Sequence, residues 1–258
     1  MIAVILAGGL GSRLSEETRS KPKPLVEVGG KPILWHIMKI YSSNNIRDFI
    51  ICCGYKGYKI KKYFRDYSKK NSDVIINLKN RSLKNKENKK EVWNVNLVNT
   101  GLKTFTGGRL KKVSKYLKNE ELFFFTYGDG VAKFKMNKQI DFHKKHKRLC
   151  TVLAVRPPSR YGVLELNKNG NVKNFNEKPK KGEGYINGGY FILSPKCFKK
   201  FSVDNSIWEK NDLPKLVKSN QMMAFTEYDF WHPMDTLRDK NSLDKMWKNK
   251  KPPWKNWK

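Results

Sequence analysis

Three observations predict an α/β fold with a mixed, mainly parallel sheet flanked by helices. Strand-length apolar runs alternate with helical periodicity through the first 150 residues, and the first run passes directly into a glycine-rich turn. At 258 residues the chain is also long enough to bury a sizeable core. After residue 150 the pattern turns to short strand-like runs separated by Gly, Pro and Asn, which fits a continuation of the sheet with a smaller β-rich lobe over the site. The expected organisation is one unit over 1–258, with a core at 1–150, a β-rich part at 151–234, and a C-terminal helix and tail at 235–258.

Residues 2–6 are a continuous apolar run ending at Gly8 and Gly9 and read as a buried strand. Residues 31–41 place Ile33, Leu34, Ile37, Met38 and Tyr41 on one helical face, with Pro32 in the first turn. A second buried strand is predicted at 49–53, a helix at 56–67 and a third strand at 74–78. Residues 79–91 are almost wholly Lys, Asn and Arg and read as an exposed loop. Further strands are predicted at 95–98 and 122–127, with a helix between them at 107–117. Strand signals follow at 151–155, 163–166, 172–175 and 190–193, then a helix over 235–248 with Leu243, Met246 and Trp247 inward. His143 and His146 have helical spacing and no third ligand, so they read as part of a surface helix.

Composition excludes several classes. No run approaches the roughly 18 apolar residues of a membrane-spanning helix, and the apolar N-terminus lacks the basic leader of a signal peptide. Cys52, Cys53, Cys150 and Cys197 have neither metal nor disulfide-scaffold spacing, so they are expected as reduced core thiols in a cytoplasmic protein. The formal charge of +31 comes from 54 Lys and Arg against 23 Asp and Glu. Because the lysines are spread over the chain rather than gathered in one patch, no specific nucleic-acid partner is expected, and without a long apolar run no membrane insertion is expected.

Two motifs carry chemistry. In LAGGLGSRL (residues 6–14) the glycines at 8, 9 and 11 let the backbone turn and expose N–H groups to phosphate oxygens, and Arg13 adds a forked cation. In SKPKPLVEVGGKPIL (residues 20–34) two prolines bracket Lys23 and present its ammonium from a stiff backbone, suited to neutralising a phosphoryl oxygen or simply to solvation. Neither motif is a P-loop or a dinucleotide fingerprint.

Together, at this spacing, the two motifs resemble the signature of the sugar-phosphate nucleotidyltransferases, whose fold is Rossmann-like. Ser15, Glu16, Glu17 and Thr18 stand where thymidylyl and uridylyl relatives usually carry Pro-Leu-Thr. With WHIMKIYS, FTYGDGVA, INGGYFIL, WHPMDTLRDK and PPWKNW, this departure resembles the cytidylyl-transferring branch. The resemblance implies transfer of CMP from CTP to glucose 1-phosphate, giving CDP-glucose and pyrophosphate for nucleotide-sugar and surface O-antigen synthesis; UTP or dTTP is the alternative donor. It implies that Leu6, Ala7, Gly8, Gly9, Leu10, Gly11, Ser12 and Arg13 hold the nucleotide with Lys23, Thr104, Arg109 and Gly128. It further implies that Arg13, Lys23, Asp129 and Asp235 form the catalytic set, with Asp129 and Asp235 holding Mg2+. On residue type alone Asp129 would be a turn aspartate and Asp235 a helix cap. Glu177, Lys178, Asn187 and Gly188 are implied to bind the sugar, which makes the β-rich part the sugar-binding lobe. A homo-oligomer is implied, with Trp254 and Trp257 in a tail docked on a neighbouring subunit.

Overall fold

The computed structural model describes residues 1–70, 73–86, 91–157, 163–166, 172–176, 184–201, 205–250 and 252–257. Its centre is a seven-stranded sheet. The strands in chain order are β1 (Ile2–Ala7), β2 (Asp48–Cys53), β3 (Asn94–Asn99) and β4 (Phe123–Tyr127), followed outside the sheet by β5 (Gly130–Phe134). Then come β6 (Cys150–Val155), β7 (Ile186–Leu193) and β8 (Met222–Phe225), and finally β9 (Tyr228–Pro233), which pairs with β5. The spatial order is β8-β6-β7-β4-β1-β2-β3. Pairs β4-β1, β1-β2, β2-β3 and β6-β8 are parallel, whereas β7 runs antiparallel to both β4 and β6.

The strands read as continuous apolar runs because helices cover both faces. Along β1, Ala3, Ile5 and Ala7 point into one core with Ile33, Ile37 and Tyr41 of helix α1 (Ile33–Ser42). Val4 and Leu6 point into the other. There they meet Leu110 and Val113 of a helix at Thr106–Val113, and Trp208. Helices at Gly57–Lys70 and Leu237–Lys248 were also foreseen within a few residues, and the helix Met136–His146 contains the two histidines read as helical, for which no bounds were given.

Several expectations need correction. Residues 82–86 are a strand, paired with Asp73–Asn77 in a hairpin, where a loop was expected. The Asn77 Oδ1 atom accepts the N–H groups of Lys79 and Asn80 and closes the turn, a local device that lysine-rich composition conceals. The helix expected to reach 117 ends at Val113 and continues as a 3₁₀ turn, Ser114–Tyr116. Strands β5, β8 and β9 were not foreseen. Strands β6, β7 and β8 continue the main sheet, and the hairpin Val163–Leu166 with Val172–Asn176 is a separate two-stranded sheet. His143 does not sit on an exposed face: it is buried, and both it and His146 bond Thr151 Oγ1 at 2.7 Å. All four cysteines are buried and free, as the sequence predicts.

The tail also differs from expectation, because it packs on its own chain. Trp254 is fully buried, stacks near Phe230 and Trp247, and donates its indole N–H to His36 Nδ1 at 3.3 Å. His36 in turn donates Nε2–H to the Val28 carbonyl at 2.8 Å. Burial pulls the His36 pKa down to about 4, against weaker backbone interactions that raise it, so the neutral ring that both bonds require persists at neutral pH. Trp254→Ala should therefore cost about 3–5 kcal/mol in urea denaturation. A loss below about 1 kcal/mol would show that the tail is only loosely attached.

Candidate active site

The glycine-rich turn leaves the carboxyl end of β1. Gly11 has φ +69°, a left-handed conformation that any Cβ would strain, and that atom would also lie 2.9 Å from Thr18 Cγ2. Thr18 Oγ1 closes the turn by donating to the carbonyls of Gly11 and Leu14. Behind the turn stands Arg109, buried, with its guanidinium donating to the carbonyls of Gly8 at 2.9 Å, Gly101 at 2.8 Å and, more weakly, Cys53 and Leu102 at 3.3 Å. It also meets Thr100 Oγ1 at 2.6 Å. Arg109 thus clamps the backbone of the loop. A Cβ on Gly8 would fall 2.2 Å from Arg109 Nη1, which is why residue 8 is glycine.

Lys23 follows an extended Pro22 and begins a 3₁₀ turn, Lys23–Leu25, with Pro24 inside it. The turn buries the lysine stem and points Nζ between two carboxylates, Asp129 Oδ2 and Asp235 Oδ1, each at 2.8 Å. Arg13 Nη1 binds the other Asp235 oxygen at 2.8 Å. The two aspartates are neighbours for a simple reason. Asp129 immediately precedes β5, Asp235 shortly follows β9, and those strands pair antiparallel with Gly130 opposite Pro233. The Met234 N–H bonds the Asp129 carbonyl at 2.7 Å and completes the ribbon's end.

Asp235 is not the helix cap. Thr236 is, through a reciprocal box with Asp239, and Asp239 Oδ2 accepts the Asp235 N–H at 3.1 Å as well. The Asp235 side chain is thereby left free for the ion cluster. Burial alone would raise the Asp235 pKa, but Lys23 and Arg13 outweigh it and hold the group below its ordinary value. Burial alone would lower Lys23, and Asp129 and Asp235 together raise it instead.

Two clefts meet at this cluster. The smaller, about 230 Å³, is lined by Leu6, Ala7, Gly9, Gly11, Ser12, Arg13, Lys23, Gly128 and Asp129 among others. The larger, about 750 Å³, includes Arg13, Asp129, Asp235, Asn187 and Gly188. Arg13, Asp129, Thr106 and Tyr127 belong to both walls. Most of the predicted set is therefore brought together, with exceptions. Gly8 is covered by Arg109, the Leu10 side chain is exposed to solvent, and Thr104 lines neither cleft, donating instead to the Thr100 carbonyl at 2.6 Å. Arg109 lines neither cleft and acts on protein carbonyls. At Gly128, which lines the smaller cleft, a Cβ would lie 2.5 Å from the Leu6 carbonyl oxygen, so protein packing by itself already demands glycine. Glu177 and Lys178 lie outside the described residues.

Sequence reasoning missed Thr106, Tyr127, Glu209 and Trp231 on the cleft walls. Tyr127 alone carried a usable signal, as the strand's last residue before Gly128-Asp129. The donor set suits Mg2+ bound with a phosphate substrate: among the described residues no group of three or more metal-ligating side chains exists, and Mg2+ is commonly held by one or two carboxylates, several waters and substrate phosphates.

The nucleotidyl transferase family model matches residues 2–236. The chain is 52% identical over 257 residues, covering 100% of both proteins, to a glucose-1-phosphate cytidylyltransferase of Salmonella typhimurium. It is 29% identical to the mannose-1-phosphate guanylyltransferase catalytic subunit beta of Drosophila melanogaster, over 95% of this chain and 61% of that protein. Among solved structures, HddC from Yersinia pseudotuberculosis complexed with GMP-PN shares the fold, with TM-score 0.69, 24% identity, and coverage of 95% of this chain and 99% of that one.

The ion cluster makes a testable contribution to stability. Because the Asp235 pKa is lowered on folding, its contribution is present above the unfolded carboxylate pKa and is lost as pH falls through the folded value. Below about pH 4 the denaturation midpoint of the wild type should fall more steeply than that of Asp235→Asn. Parallel acid limbs would contradict the cluster.

Proposed function

For a chain that belongs to the nucleotidyl transferase family, we propose transfer of CMP from CTP to glucose 1-phosphate, giving CDP-glucose and pyrophosphate. The observation that carries this reading is the convergence of Arg13, Lys23, Asp129 and Asp235 where the two clefts meet. The full-length 52% identity to a cytidylyltransferase favours CTP over UTP or dTTP.

In this reading the smaller cleft takes the triphosphate against the glycine turn, and the larger takes the sugar phosphate. A phosphate oxygen of glucose 1-phosphate attacks the α-phosphorus of CTP; the bond to the β-phosphate oxygen breaks and pyrophosphate leaves with the electron pair. The attacking oxygen is already anionic, so no protein nucleophile or general base is required, and positioning with charge neutralisation supplies the rate. Lys23 and Arg13 offset charge at the α-phosphate. The buried cysteines, whose pKa values burial raises, have no part in it.

Members of the family generally use a divalent metal. Here Asp129 and Asp235 would hold Mg2+, which would supply charge neutralisation for the substrates' phosphate oxygens. Residues 1–150 act as the nucleotide-binding core, 151–234 contribute the sugar side, and 235–258 brace the site. Among the described residues no helix is long and apolar enough to cross a membrane. A cytoplasmic setting is the reading of the free core thiols, and a homo-oligomer that of the family resemblance.

Pyrophosphate release measured with each of the four triphosphates and glucose 1-phosphate should be fastest with CTP, and Asp129→Ala should abolish metal-dependent turnover while circular dichroism shows an intact fold. Equal rates with CTP and UTP would overturn the cytidylyl assignment.

A further inference from the structure

The larger cleft holds a charged group without a task in the reaction above. Glu209 stands on its wall with its two carboxylate oxygens divided between two hydroxyls. Oε1 accepts from the Tyr127 hydroxyl at 2.5 Å, and Oε2 from Thr106 Oγ1 at 2.9 Å. Both donors belong to the wall common to the two clefts.

The backbone that carries Glu209 is a π-helical turn, Trp208–Asp212. Such turns are rare and recur at functional sites. Trp208 fixes it: the indole is fully buried against Phe125, Phe191 and Phe201, with ring centroids 5.4–5.6 Å apart, and its backbone N–H donates to Thr106 Oγ1 at 2.9 Å. One residue on, Glu209 is exposed. The anchor is therefore rigid and the carboxylate accessible.

An ionised carboxylate only accepts hydrogen bonds and offers about four lone-pair directions. Tyr127 and Thr106 occupy two. Burial, and then Glu209 itself, push the Tyr127 pKa up, so the phenol keeps its proton and remains a donor to Glu209. The wall of the cleft thus carries both signs of charge. Arg13 on its shared wall attracts a phosphate, whereas Glu209 welcomes hydroxyl donors and repels anions.

We propose that Glu209 determines sugar specificity, accepting a hydrogen bond from a hexose ring hydroxyl and rejecting sugar 1-phosphates that carry a second anionic group. The inference rests on reading the larger cleft as the sugar side of the nucleotidyl-transfer site. Glu209→Gln keeps the shape but removes the charge and one acceptor. Its KM for glucose 1-phosphate should rise about tenfold, the scale of a lost charge-assisted hydrogen bond. The KM for CTP should stay within about twofold of wild type, since a factor of two is small against that loss.

The preference for glucose 1-phosphate over glucuronic acid 1-phosphate should narrow by about tenfold in Glu209→Gln. Glu209→Asp, which keeps the charge, should retain most of that rejection. Wild-type turnover combined with an unchanged KM for glucose 1-phosphate in Glu209→Gln would overturn the inference alone, as would equal rises in both KM values. Absence of any wild-type turnover of CTP with glucose 1-phosphate would remove both the reading and the inference.

Discussion

The Lys23 ammonium, 2.8 Å from carboxylates on both Asp129 and Asp235, is the interaction around which the rest of the structure is arranged. A largely buried lysine is costly unless opposite charges meet it, and two adjacent carboxylates repel unless a cation separates them. Each therefore needs the other. The arrangement further requires three parts of the chain to arrive together: the proline-stiffened turn at Lys23, the end of β4, and the end of β9. The β5-β9 ribbon brings the last two into register, and the sheet sets their height beside the glycine turn.

The C-terminal helix holds this assembly from behind. Asp244 accepts the Gly29 N–H at 2.7 Å, Lys240 reaches Glu17 at 3.0 Å, and the Thr236–Asp239 box fixes the backbone at Asp235. At Gly29, φ is +59° and a Cβ would lie 2.0 Å from Trp247 Cδ1, so the helix lies directly against the segment after Lys23. The tryptophan tail then locks over His36 at the start of α1. The C-terminal helix and tail thus help to fix the spacing of the Arg13, Lys23, Asp129 and Asp235 charges, partly from the wall of the larger cleft, through Thr236 and Asp239, and partly from outside it.

Much of this was legible in the sequence, because β1, β2 and β4 are buried on both faces and so appear as unbroken apolar runs, and because Gly11 and the prolines around Lys23 mark backbone constraints that few other residues meet. Asp129 and Asp235 could be named only through family resemblance, since pairing between β5 and β9 joins them across 106 residues without any local signal. Strand β9 mixes polar and apolar residues along a half-exposed ribbon, which blurs its period, and β5 and β8, at five and four residues, are too short to show one. What Arg109 does to the glycine loop was not legible, because its carbonyl partners Gly8, Gly101, Cys53 and Leu102 come together only in the fold. Glu209 escaped notice for a similar reason: in sequence it is one acid among lysines and asparagines, and only the fold brings it to Tyr127 and Thr106.

The central claim is that Lys23 serves as the counter-ion of the carboxylate pair until substrates and metal arrive. Titrating Mn2+ against nucleotide-free protein by electron paramagnetic resonance tests it directly. Lys23→Met should bind Mn2+ about tenfold more tightly than wild type, because the competing positive charge is gone, and adding Asp129→Ala should abolish the gain. Unchanged or weaker Mn2+ binding by Lys23→Met would contradict the account.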